Sequence, residues 1–306
     1  MPTRAVPRRA FAAIALLQAA HPVPAFAVSG VATAFTATAG HDRVRCPMVL
    51  LALLSGQLCV GWSNDVIDAR RGIRAGRHDK PLTVGTLAPS SAAAAAYAAG
   101  AACVPLSLAS GPVAGAAHLT AVATAPDYNA AFTRTRWSWF PYALAFGPLP
   151  AFVTLGLPGR PWPPAWLLTA TALLGVGAHL TNVLPDIEAD TACGVRGLPH
   201  RLGSARSRAL AVLCLLTASA TPALGPPGPP GKVGWAGLAA ATGLAAAAVL
   251  PRAPHPDSRQ PFLLTSALSV ISLILLLLRG STLRCSGCLL HERARSAKSH
   301  PRQHRK

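Results

Sequence analysis

The stretch NDVIDARRGIRAGRHDKPL, Asn64 to Leu82, follows a long apolar run and is crowded with charge. The chain has only 10 acidic residues, and Asp65, Asp68 and Asp79 all fall here. A second patch, NVLPDIEAD from Asn182 to Asp190, adds Asp186, Glu188 and Asp190. Two concentrated acidic patches in an apolar chain do not serve solubility. Carboxylates at the edge of a membrane segment are costly and call for metals, cations or ligands as partners.

The surrounding composition makes this a membrane chain. Of 306 residues, 51% are hydrophobic and 12% charged, where soluble domains run near 25% charged. Apolar segments recur throughout, which reads as one membrane domain over residues 21–280. Residues 1–20 form a basic, amphipathic lead-in, and residues 281–306 a basic tail whose composition predicts disorder. The net charge of +18 raises nucleic-acid binding as a question. The basic residues lie in hydrophilic gaps and at the chain ends, which suits loops facing anionic lipid headgroups, and no nucleic-acid motif accompanies them. Among the 7 cysteines, Cys285 and Cys288 form one isolated pair, and His291 supplies at most a third ligand where zinc needs four.

A membrane-crossing helix needs about 20 mostly apolar residues. Nine candidate spans result: Pro24–Gly40, Pro47 to about Trp62, Leu87–Leu108, Val113 to about Ala125, Trp137–Leu157, Ala165–Leu184, about Ala209 to Leu224, Val233–Leu250 and Pro261–Leu278. The predicted fold is all-α, a polytopic bundle of about nine transmembrane helices around a central cavity. The acidic patches follow spans two and six, so they fall on one side of the membrane. The loops on that side carry most of the arginines, from Arg70 and Arg71 to Arg252 and Arg259, while the opposite loops hold Arg43, Arg45, Arg160 and Lys232. The positive-inside rule places the patches at the cytoplasmic face of a cell membrane.

Asn64, Asp65 and Asp68 have helical spacing, and residues three or four apart share a helix face. Asp186 and Asp190 are four apart, with Asn182 one turn earlier. Two carboxylate pairs on facing helix ends can chelate Mg2+, which prefers hard oxygen ligands and commonly shares them with substrate phosphates. Asp65, Asp68, Asp186 and Asp190 are therefore the candidate metal ligands and catalytic residues, and a diphosphate is the candidate substrate group. Arg77 and Lys80 in the first loop suit neutralisation of the remaining phosphate charge. The competing account, helix caps and solvated ends paired with arginine, suits Asp79 or Asp127 better than the spaced pairs. Gln57 lies two turns deeper than Asn64 on the same face and can line the cavity. His118 and His179, inside spans four and six, read as hydrogen-bonding residues between helices.

These residues resemble the UbiA superfamily of intramembrane prenyltransferases, over roughly residues 15 to 280. The family carries NDxxDxxxD after its second helix and DxxxD after its sixth. Here the first pattern reads Asn64, Asp65, Asp68, with Gly72 at the place of the last Asp. The following GRHDKPL, Gly76 to Leu82, resembles the family's Arg-Pro-Leu or Lys-Pro-Leu ending. The second reads Asn182, Asp186, Glu188 and Asp190, continued by GLPHRLG from Gly197. Tyr128 and Asn129 are also similar; Thr133 stands where a lysine is frequent, with Arg134 beside it. The resemblance implies two Mg2+ ions bridging the aspartates and a prenyl diphosphate, an allylic cation, and an aromatic or quinone-precursor acceptor, or another lipophilic one. Asn64, Arg77, Lys80, Tyr128, Asn129, Arg134, Asn182 and Gln57 would contact substrate.

Other readings are a terpene cyclase using the same ionisation, a catalytically impaired homologue motivated by Gly72 and Thr133, and a transporter. The last fits poorly, because transporter sites usually lie at the bilayer midplane and these patches lie at a membrane face.

Overall fold

The computed structural model describes residues 8–74, 81–127, 131–192, 194–250 and 260–280. All regular structure among them is helical. A short helix α1 (Arg8–Ala19) leads into α2 (Pro22–Ala39), α3 (Arg45–Arg74), α4 (Pro89–Leu108) and α5 (Pro112–Asp127). The fifth crossing is broken into α6 (Phe140–Phe146) and α7 (Leu149–Thr154). Gly147 and Pro148 lie at the break, where proline withdraws a backbone donor. Then come α8 (Ala165–Val183), a 3-10 turn (Leu184–Asp186), α9 (Ile187–Ala192), α10 (Leu198–Leu224), α11 (Gly231–Val249) and α12 (Gln260–Gly280). Seven of the described helices are long and apolar enough to cross a membrane. The shorter α5 and the α6–α7 pair complete the expected bundle.

Helix packing follows a closed ring. α2 packs on α3, α3 on α4, α4 on α5, and α5 on α6 and α7; α8 follows, then α10, α11 and α12, which returns to α2. α8 is the most enclosed of the seven long helices, with 61% of its apolar stretch buried, whereas α4 and α11 reach only 22% and turn most of their surface outward. Small residues permit the close approaches. A Cβ on Gly177 of α8 would stand 2.6 Å from the Leu215 side chain of α10. That contact borders the core in which Leu174, Val212, Leu215, Ala241 and Leu268 join α8, α10, α11 and α12.

Two departures from the sequence reading concern where helices end, and the packing of α1 adds a third finding. α3 does not stop near Trp62 but continues through Asn64, Asp65 and Asp68 to Arg74, so these three residues lie on a helix, as their spacing allows. α10 begins at Leu198 rather than near Ala209, and absorbs most of the basic loop through a kink at Gly203 with φ 76°. Pro199 at its first turn needs no intrahelical partner for its nitrogen. α1 is tied into the bundle: Ala15 and Ala19 share a core with Ala69, Leu82, Leu87 and Ala92. The tail, residues 281–306, and Cys285 and Cys288 with it, lie outside the described residues.

Candidate functional site at one end of the helix ring

The contacts at the opposite end fix the direction of each helix. Phe35 and Ala39, at the end of α2, pack with Val153, Leu167 and Ala170, at the end of α7 and the start of α8. Arg45, at the start of α3, donates from Nη1 to the Gly156 carbonyl at 3.0 Å. The first turns of α3 and α8 therefore share one end of the ring. Their last turns, which carry the two acidic patches, share the other. In ring order α3 and α8 stand as far apart as the closed circle permits. The patches are thus at one end, across the bundle from each other.

Asn64, Asp65 and Asp68 occupy successive positions on α3. Asp65 is 2% exposed, a deeply buried carboxylate. Its Oδ1 lies 2.9 Å from Nε2 of His21, which sits in a left-handed conformation, φ 50°, at the corner between α1 and α2. The corner is pressed onto α3. Trp62 donates its indole N–H to the Leu16 carbonyl at 2.8 Å, and a Cβ on Gly61 would stand 2.5 Å from the Ala20 carbonyl oxygen. Asp68 and Gln57 are half-buried.

On the other side, Asn182 closes α8, Asp186 ends the 3-10 turn, and Asp190 lies in α9. Asn182 and Asp186 are exposed and Asp190 is partly covered. Arg134 is exposed in the segment before α6, and its carbonyl accepts from Arg201 Nη2 at 3.4 Å, which brings that segment against the first turn of α10. Arg77, Lys80, Tyr128 and Asn129 lie outside the described residues.

Among the described residues no three His, Cys, Asp or Glu side chains form a ready-made metal cluster. Mg2+ is usually held by one or two carboxylates and completes its shell with phosphate oxygens and water. The candidate donors are carboxylates and carboxamides, and fit Mg2+ by ligand type. A recess lined by Asp42, Arg45, Met48 and Ser110 lies at the other end of the bundle and has no part in this arrangement.

Sequence reasoning did not pair His21 with Asp65, because the two meet through the α1–α2 corner. It placed His179 as an interhelical hydrogen bonder, and the structure sets its Nε2 3.2 Å from Ser138 Oγ, with Tyr142 stacked on the ring at 4.5 Å. His200, buried beside Asp190, was not singled out; the signal available was a lone histidine in GLPHRLG, ten residues after the second patch.

The UbiA prenyltransferase family model matches residues 22–271. The chain belongs to the UbiA prenyltransferase family. Solved UbiA structures share the fold. A UbiA homolog from Archaeoglobus fulgidus bound to GPP and Mg2+ superimposes with a TM-score of 0.67 at 18% identity, over 88% of this chain and 98% of that one. A UbiA homolog from Aeropyrum pernix K1, in its apo form, gives 0.64 at 16% identity, over 82% and 96%. A digeranylgeranylglyceryl phosphate synthase gives 0.63 at 14% identity, over 90% and 100%. No curated protein sequence matches.

Proposed function

We propose that this UbiA member is a Mg2+-dependent intramembrane transferase. It ionises a prenyl diphosphate and passes the prenyl group to an aromatic or quinone-precursor acceptor. The observation that carries this reading is the placing of two spaced carboxylate sets at the same end of the helix ring, on opposite sides of it. The solved relative from Archaeoglobus fulgidus, with GPP and Mg2+ bound, supports the same ligand chemistry.

Asp65 and Asp68 from one side, and Asp186 and Asp190 from the other, would hold Mg2+, and Asn64 and Asn182 would add neutral oxygens. When bound, Mg2+ stabilises the negative charge that gathers on the departing diphosphate. Arg77, Lys80 and Arg134 contribute further positive charge toward its oxygens. The allylic C–O bond breaks with its electron pair on the diphosphate, and an acceptor carbon adds to the cation. The acceptor then loses a ring proton and restores its aromaticity. Apolar helices keep water from the cation. Gln57 lies deeper on α3 toward the prenyl tail, and Tyr128 and Asn129 serve substrate at the motif end. The membrane domain over residues 21–280 carries all of this, with the lead-in and tail as flanking segments. The motif end faces the cytoplasm, as the arginine-rich loops favour.

The test is purified protein in lipid nanodiscs with Mg2+ and prenyl diphosphates of several chain lengths, with and without aromatic acceptors. Acceptor-dependent diphosphate release with a prenylated product is the expected result. Release without acceptor, yielding a cyclic hydrocarbon, would establish cyclase chemistry instead. No release under any combination overturns both.

A further inference from the structure

Between the second acidic patch and α10 the chain turns a braced corner. Val195 N donates to the Asp190 carbonyl at 2.9 Å and Gly194 N to the Thr191 carbonyl at 3.0 Å, closing the end of α9. On the α10 side, Ser138 Oγ accepts from Leu198 N at 2.9 Å, and Ser207 Oγ donates to the Pro199 carbonyl at 2.9 Å. A Cβ on Gly197 would stand 2.9 Å from Ser138 Oγ, so the backbone and this serine are already in contact. The corner has little room to shift.

His200 is the next residue after Pro199. Its side chain is 5% exposed, and its Nε2 stands 3.5 Å from Asp190 Oδ2. Neither ring nitrogen has a hydrogen-bond partner among the described residues. An unsatisfied polar group buried this deeply costs stability. A neutral imidazole has one N–H to place, and the carboxylate beside Nε2 is an acceptor that a shift of about half an ångström brings into hydrogen-bond range.

We propose that His200 is a positioning residue for Asp190, an inference that rests on the metal-binding reading above. Its Nε2–H holds Oδ2 and leaves Oδ1 turned toward the cation. Carboxylates that ligate metals are themselves commonly hydrogen-bonded, and loss of such a partner typically lowers metal affinity about 10- to 100-fold. The braced corner fixes the imidazole, and the imidazole fixes the carboxylate.

The experiment measures Mn2+ binding to the full chain in nanodiscs, by the electron paramagnetic resonance of free Mn2+ with inorganic diphosphate present. His200→Leu removes the donor. His200→Gln keeps an N–H at about the place of Nε2, and His200→Asn keeps one only at the nearer Nδ1 position. The expected result is affinity lowered at least about tenfold in His200→Leu and His200→Asn, and restored in His200→Gln. Asp190→Asn serves as the control. If it weakens Mn2+ binding while all three His200 variants bind like the parent, the positioning role is wrong and the metal reading stands. If Asp190→Asn and Asp65→Asn both bind like the parent, the metal reading fails and this inference with it. Should His200→Leu not fold, the two amide variants decide: equal affinity in both overturns the proposal.

Discussion

His21 Nε2 and Asp65 Oδ1 lie 2.9 Å apart, although 44 residues separate them. The imidazole is 45% exposed and the carboxylate 2%, so the pair joins the rim of the bundle to a buried acid. Replacing His21 by Ala removes one partner from that acid. The expected cost is about 1–3 kcal/mol, read as a lowered thermal midpoint in detergent. An unchanged midpoint would mean that Asp65 is held by its other contacts alone.

Gly61 tests the same corner by steric means. Its missing Cβ leaves room for the Ala20 carbonyl, which would otherwise be 2.5 Å away. Backbone cannot yield as a flexible side chain can, so Gly61→Ala should cost about 1–3 kcal/mol and move His21 off Asp65. Protease cleavage near residue 20 is the sensitive readout, and it should accelerate.

Asp68→Ala and Asp186→Ala probe opposite sides of the ring. Under the proposed chemistry each should lower turnover by at least about 100-fold, with the thermal midpoint little changed because neither is deeply buried. Full activity in both variants would remove the assignment of these residues.

Gly72 stands four residues beyond Asp68 on α3, one turn along the same face. Gly72→Asp would supply a further carboxylate where the family pattern has one. The Mg2+ concentration for half-maximal turnover should then fall. No change would show that the glycine does not mark a lost ligand.

His41, between α2 and α3, offers a test at the other end of the bundle. Burial holds its imidazole below the usual 6.5; the hydrogen bond to the Val153 carbonyl works against this, and Arg45 reinforces it. The folded state thus prefers the neutral ring. Below pH 6.5 the unfolded chain takes up a proton that the folded chain resists, so stability is full above 6.5 and declines as pH falls below it. Thermal midpoints at pH 7.5 and 5.5 should differ, and His41→Gln, which cannot titrate, should narrow the gap.

The fold was largely legible because its signals are local: apolar runs, and glycine and proline between them. The boundaries were less so. Trp62 looks like a span's end by hydropathy, yet α3 continues to Arg74, since a helix leaving lipid keeps its backbone hydrogen bonds whatever its side chains prefer. The patches were legible because carboxylates are scarce in this chain. Their neighbours were not. Leu198 N reaches a serine 60 residues earlier, and the pairing of His21 with Asp65 depends on a left-handed corner. No spacing rule encodes either contact.

The shared end of α3 and α8 carries one more consequence. A reaction sited there releases its two products into different phases. Under the proposed chemistry the water-loving pyrophosphate fragment would leave from the acidic helix ends, into a single compartment. The greasy conjugate, flanked by the thinly covered walls of α4 and α11, has the bilayer as its natural exit. Separation of products would then be a property of the architecture and would need no moving part.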